Sequence, residues 1–292
     1  MAVGPGAYSA SMNTADLPDG LPPGRLITPN PRQPRLTGWT GGPVCGPVYW
    51  ASEEALPDAP QQWTRLHAVH DRTGLRPLLL DHTPDGDLEP CDDGRIDALD
   101  AETILLREWH RFDGFAWYRN PARRAAWRAS IPEGVWIPDD PGPPFVTWPG
   151  LARPGTRGRD PDTVAREVMA RNLLPYWRDD QPVHLALVPA ARSADIPGRI
   201  GSNDPNSYLL AAEMSAVLRS WEDRFGARVL ACLDGLYVSV ASPPLDWEHG
   251  EHLALEHVLF CDDQLDNPPV WTFPSYVERI LGADLWRFRW LH

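Results

Sequence analysis

Proline sets the outer limits on what this chain can fold into. Thirty-three prolines are spread over 292 residues. Each fixes φ and removes a backbone donor, so helices and central strands must lie between them. Two proline-dense stretches matter most. From Leu21 to Pro34 they impose extended or turn geometry, and over 131–161 they mark a boundary. The sequence therefore divides into a loose arm (1–20), an N-terminal α+β domain (21–130), a Pro-rich linker (131–161) and a C-terminal α+β domain (162–292). A chain of 292 residues suits two compact halves better than one core.

Between these breaks the apolar spacing predicts regular elements. In the first half, 47–50 reads as a short strand, and Asp58 to His70 as a helix carrying Trp63, Leu66 and His70 at helical spacing and closed by Thr73-Gly74. Leu75 to Leu80 follows as a buried strand, then an acidic loop from Asp81 to Asp97, then helices over 98–109 and 122–129, the latter opened by Asn120-Pro121. In the second half, helices are predicted over 163–174, 193–200, 208–225, 246–260 and 274–281. Strands are predicted over 183–188, 227–233, 236–242 and 285–291, with Asp234-Gly235 as a hairpin turn. That order predicts a mainly antiparallel four-stranded sheet with helices on one face, as in a ferredoxin-like split βαβ.

Charge and composition exclude several functions. No lysine is present, so all 27 basic residues are arginine, and Schiff-base chemistry and a P-loop lysine are ruled out. A net charge of −13 repels phosphate backbones and anionic membranes and favours basic partners or plain solubility, as in many acidic bacterial cytosolic proteins. One segment runs against that sign: Arg119, Arg123, Arg124 and Arg128 alternate with Trp117 and Trp127. Such a stretch can track a phosphate strand, but in so acidic a chain it is expected to pair with carboxylates. Cys45, Cys91, Cys232 and Cys261 lie far apart, which fits neither a disulfide framework nor a zinc site. The first twenty residues lack the basic and apolar regions of a signal peptide, and no apolar run reaches the ~18 residues of a membrane span, so a bacterial-type cytoplasmic protein is expected.

Specific stretches resemble a known family. Residues 183–195 (Val-His-Leu-Ala-Leu-Val-Pro-Ala-Ala-Arg-Ser-Ala-Asp), 216–228 (Ala-Val-Leu-Arg-Ser-Trp-Glu-Asp-Arg-Phe-Gly-Ala-Arg), 256–263 (Glu-His-Val-Leu-Phe-Cys-Asp-Asp) and the Trp-rich C-terminal strand are similar to the family catalogued as domain of unknown function 4253. The likeness covers about 183–292 and reaches more weakly into 21–25, 65–70 and 148–152. It implies no settled activity and allows an immunity-like, toxin-neutralising role. The segment 201–208 (Gly-Ser-Asn-Asp-Pro-Asn-Ser-Tyr) departs from the Gly-Trp and Asn-Tyr that similar sequences carry there.

Several side chains have the chemistry for a site. His249, His252 and Glu256 share a helix face and can ligate a metal, against a solvated polar face as the plainer reading. His257 and Cys261 stand at i and i+4, the spacing of an imidazole-activated thiolate, although apolar neighbours favour a core Cys beside a hydrogen-bonded His. Glu256, His257 and Cys261 are the candidate catalytic residues. Arg192 beside Ser193, a predicted N-cap, offers an anion site, against an ion pair with Asp195 or another carboxylate. Trp221 and Asp262 complete the candidate ligand-binding set, Trp221 also fitting the core. His67 and His70 share the Trp63 face and suit packing and helix-end hydrogen bonds. The loop carboxylates Asp81, Asp85, Asp87, Glu89, Asp92 and Asp93 lack calcium-loop spacing.

No dinucleotide, nucleophile-elbow, zincin or P-loop motif occurs, and no cofactor is expected. The leading expectation is a non-catalytic interaction protein that binds a basic partner. The alternative is a small-molecule-binding protein or enzyme with a site between the halves, lined by Arg192, Glu256, His257, Cys261 and Asp262.

Overall fold

The structure, a computed structural model, describes residues 12–28, 48–81, 91, 93–112, 121–130, 140–156, 158–171, 183–201, 207–265 and 272–290. In chain order the elements are β1 (Gly24–Ile27), β2 (Tyr49–Ser52), α1 (Ala59–His67), α2 (His70–Thr73), β3 (Leu75–Leu80), α3 (Asp93–Asp97), α4 (Ala101–Arg111), α5 (Pro121–Ser130) and α6 (Pro161–Ala170). There follow β4 (His184–Pro189), α7 (Ile196–Ile200), α8 (Ala211–Phe225), β5 (Ala227–Cys232), β6 (Leu236–Val240), α9 (Trp247–Phe260), α10 (Phe273–Ile280) and β7 (Leu285–Phe288).

The strands form one mixed seven-stranded sheet in the order β1-β2-β4-β3-β5-β6-β7. All neighbours are antiparallel except β3 and β5, which run parallel through Leu79↔Ala231 and Leu80↔Cys232. This corrects the expected four-stranded antiparallel sheet confined to a C-terminal half. Strand β4 pairs with N-terminal strands on both sides, Trp50↔Leu187 with β2 and Leu78↔Ala186 with β3. It has no pairing with β5, so the ferredoxin-like arrangement is absent and the two halves share one sheet.

Helices also cover both faces of that sheet rather than one. On the first face, Trp63 and Leu66 of α1 and Val164, Val168 and Met169 of α6 pack on Trp50, Leu79, Leu185, Leu187 and Tyr237. On the second, Leu105 of α4, Ile196 of α7, Val217 and Trp221 of α8, Leu253 of α9 and Val277 of α10 join a cluster with Leu78, Leu80, Ala186, Val188, Val238 and Trp286. The physical reason lies in β3 and β4, whose near-continuous apolar runs suit strands buried on both sides; a one-sided sheet needs alternation with polar residues. A register shift between Val229 and Ala231 puts Leu230 and Ala231, consecutive residues, into the first-face cluster.

Local chemistry sets the helix ends that position the site. Asp160 accepts a hydrogen bond from the Thr163 amide at 2.7 Å and Pro161 opens α6. Gly226 ends α8 at φ +63°, where a Cβ would also meet Pro161 Cγ at 2.9 Å. Within the arm, Met12 is buried beside Trp50 and Trp63. Over 140–156 the Pro-rich stretch lies against α8 and α9: the Gly155 amide donates to Arg224 O at 3.0 Å and Phe145 meets His252 edge-on at 4.7 Å.

Candidate functional site

Helix α9 starts at Asp246, whose carboxylate accepts from the His249 amide at 3.0 Å. Residues 253–260 are all buried, so the polar groups of this run sit inside the protein. Glu256 is fully buried and takes four donors: the Ala152 amide at 2.6 Å, Trp221 Nε1 at 2.7 Å, and Arg224 Nη1 and Nη2 at 2.9 and 2.6 Å. Arg224 also donates to Ala152 O at 2.8 Å. This buried pair joins α8, α9 and the 140–156 strap, and no lone pair of Glu256 is left for a substrate.

The three residues read as a metal face do separate work. His249 Nε2 donates to Arg153 O at 2.7 Å, His252 packs against Phe145, and Glu256 is held by Arg224. Among the described residues, no group of three or more His, Cys, Asp or Glu side chains is placed to hold a metal ion.

His257 is also fully buried, boxed by Trp286, Trp221 and Phe288 at centroid distances of 4.5, 4.8 and 4.9 Å. Gln264 Nε2 donates to Arg287 O at 2.6 Å and to the Tyr276 hydroxyl at 3.0 Å, and that hydroxyl is hydrogen-bonded to His257 Nδ1 at 2.8 Å. His257 Nε2 has no hydrogen-bond partner among the described residues. Desolvation, with the Arg224 charge nearby, pushes the His257 pKa well below its ordinary value, so the ring is neutral.

Cys261 does not partner that imidazole. Its thiol donates to Arg289 O at 3.4 Å, and burial together with the Asp262 and Asp263 charges pushes its pKa well above the ordinary range. A protonated thiol and a neutral ring occupied by Tyr276 do not make a nucleophile pair, which overturns the thiolate reading.

Arg192 and Ser193 do form an anion-binding corner, but the chain fills it itself. Arg192 donates to Glu222 at 3.3 Å, Asp223 at 2.6 Å and Arg219 O at 3.1 Å. The Ser193 hydroxyl and the Ala194 amide both reach the Glu222 carboxylate, at 3.3 and 3.2 Å. Asp195, the other expected partner, is fully buried and pairs with Arg219. Arg192, whose backbone is extended, and not Ser193, stands at the cap position of the short Ser193–Asp195 turn, and the Ser193 hydroxyl accepts from the Val229 amide at 3.2 Å.

Trp221, Glu256 and His257 thus come together, in the core and not in a cleft. On the opposite face of the sheet, His67 stacks between Trp63 and His70 at 4.5 and 4.7 Å. Its Nε2 lies 3.4 Å from Asp162, which Arg228 also holds at 2.8 Å. The adjacent His67 ring and the Arg228 guanidinium, which donates to it, keep the Asp162 carboxyl well below the usual range, while burial lowers His67. Asp85, Asp87, Glu89, Asp92, Trp117 and Arg119 lie outside the described residues, as do the side chains of Arg123, Arg124, Trp127 and Arg128.

An open concavity among the described residues lies elsewhere. A cleft of about 320 Å³ runs between the C-terminal end of α4 (Glu108, Arg111 and then Phe112), Tyr208 and Leu209 ahead of α8, and Leu259, Phe260 and Asp262 at the end of α9. Arg111 lies over the Tyr208 ring at 4.2 Å, and its Nη1 is 4.0 Å from Glu108. Glu108 is buried and bonded by Arg107, which also forks onto Glu213. Of the expected site residues only Asp262 lines this cleft. The others were missed because helical spacing exposes the face of α4 but not the partner brought to it from 100 residues away.

A mixed sheet with helices on both faces, a sealed polar core and an open amphipathic cleft describe an α+β protein. Residues 184–290 match the model of the family described as Domain of unknown function (DUF4253), and the C-terminal part of the chain is a domain of that family. Comparison with curated proteins and with solved structures finds no match. Among the described residues, no helix is long and apolar enough to cross a membrane.

Proposed function

We propose that the protein is a non-catalytic interaction module that captures a basic partner, the manner in which a toxin-neutralising protein works. The observation that carries this reading is the condition of its three most reactive candidates. Glu256 is saturated by donors, His257 is neutral within an aromatic box, and Cys261 is a buried thiol. The chain as a whole is acidic, with 40 carboxylates against 27 arginines. A field of that sign attracts cationic surfaces and speeds their encounter.

Calorimetric titration of the full chain with an arginine hexapeptide tests this directly, with a glutamate hexapeptide as control. Saturable one-to-one binding of the arginine peptide, weakening as salt rises, is the expected result. Failure of the arginine peptide to bind at low salt, or equal binding of both peptides, would overturn the proposal.

A further inference from the structure

We infer that α2 is a latch released by acid: a second proton on the stacked His67–His70 pair drives His70 out of its seat and frees this short helix from the end of α1. The inference is independent of the interaction reading. It starts from how little holds α2 in place. This helix is four residues long and His70 is its one buried residue, so that side chain is its anchor. Behind His70 the rings of Trp63 and His67 complete a near-parallel column, with centroids 4.5 Å apart between Trp63 and His67 and 4.7 Å apart between His67 and His70. Gly74, at φ +68° just beyond α2, has open space where a Cβ would stand, so the far end of the latch is free to turn.

Hydrogen bonding places the first proton. His70 Nδ1 donates to His67 O at 2.5 Å, and its Nε2 faces the Asp71 carboxylate at 3.0 Å. A carbonyl and a carboxylate only accept, so this geometry suits a doubly protonated His70 ring. Burial keeps His67 neutral at pH 7. The charged groups that act on His67 are Asp162 from α6, His70 from α2 and Arg76 from β3. Asp162, 3.4 Å from His67 Nε2, is the one carboxylate among them, and Arg228 of β5 already holds it at 2.8 Å. Arg76 and a protonated His70 both oppose a positive His67. As pH falls below about 6.5, the released segment takes up the proton that the closed stack resists, so acid favours opening. Opening bares the ring face of His67, and with it the edge of the cover that Trp63 and Leu66 lay over β3 and β4.

Amide hydrogen exchange of the full chain at pH 7.5 and 5.5, corrected for intrinsic rates, tests this. The Val69, Thr73 and Gly74 amides bond Leu66 O, Val69 O and His70 O. Their protection is expected to fall about tenfold at pH 5.5, while amides of α6 and β5 keep theirs. His67→Phe leaves a flat ring in the column without the second charge and should abolish the acid response, as should His70→Phe. His257→Phe, on the opposite face of the sheet, should leave the response intact. Should the phenylalanine variants at 67 and 70 fold poorly, NMR titration of the unmodified chain decides: His67 is expected to take up its proton in step with the loss of protection at 69–74. Unchanged protection at pH 5.5, an equal loss across α6 and β5, or protonation of His67 with 69–74 still protected would each overturn the inference. So would an acid response that persists in both His67→Phe and His70→Phe, or one that disappears in His257→Phe.

Discussion

Glu256 and Arg224 show how one buried pair can organise a region. Neither charge faces water freely, and each is bonded to backbone as well as to its partner. Truncating one member leaves the other charged and unpaired inside the protein. Glu256→Ala is expected to lower unfolding free energy by about 3–5 kcal/mol, read from urea denaturation, with Glu256→Gln intermediate. A loss below about 1 kcal/mol would mean that the site is wetter than the geometry indicates.

The buried imidazoles make stability fall with acid. His257, His67 and His249 all have lowered folded-state pKa values, chiefly through desolvation. The unfolded chain, with ordinary imidazoles near pH 6.5, therefore binds more protons than the folded one below that pH. Stability should be full above about pH 7 and decline toward pH 5, by at most about 1.4 kcal/mol per pH unit for each ring. His257→Phe should make the slope shallower between pH 7 and 5.5, as followed by denaturant midpoints. An unchanged slope would contradict neutral burial. The thiol of Cys261 should resist alkylation at pH 7.5 in the native protein and react fully once unfolded, as located by peptide mass spectrometry.

At the scale of elements, short-range signals were legible and long-range ones were not. Strand β3 was predicted over Leu75–Leu80 and forms there, and Asp234-Gly235 does connect β5 to β6. These rest on local facts: an apolar run between breakers and a turn dipeptide. Gly226, the residue just past the predicted 208–225 helix, ends α8 with a positive φ. Gly226→Ala is expected to cost about 1–2 kcal/mol for the left-handed backbone alone, with the Pro161 contact adding to it; thermal unfolding would measure it. By contrast β1 lay in a stretch read only as extended or turning, and α3 in one read as an acidic loop. Helix α3 is five residues long, and its order comes from tertiary partners: Ile96 is buried and Asp97 pairs with Arg219. The candidate catalytic residues were found as a sequence cluster, but burial decides whether such a cluster is a site, and burial depends on which helices cover which face.

For the whole molecule, the position of β4 is decisive. Both its neighbours, β2 and β3, come from outside the family-matched segment 184–290, and β3 separates it from β5. An isolated fragment of that segment would carry a gap of one strand in mid-sheet. It is expected to lack cooperative unfolding and dispersed amide resonances, whereas the full chain should show both. A well-folded fragment would mean that β4 and β5 can pair directly.

The same insertion governs how the polypeptide can be built on a ribosome. Strands β2 and β3 are made early but flank an empty lane until β4 emerges, more than 100 residues after β3. A nascent chain paused before residue 184 therefore holds apolar strand edges that, among the described residues, are paired only by the later β4. Its maturation should depend on holding those edges apart from other chains, so chaperone supply during synthesis, more than final stability, is expected to limit the yield of native protein.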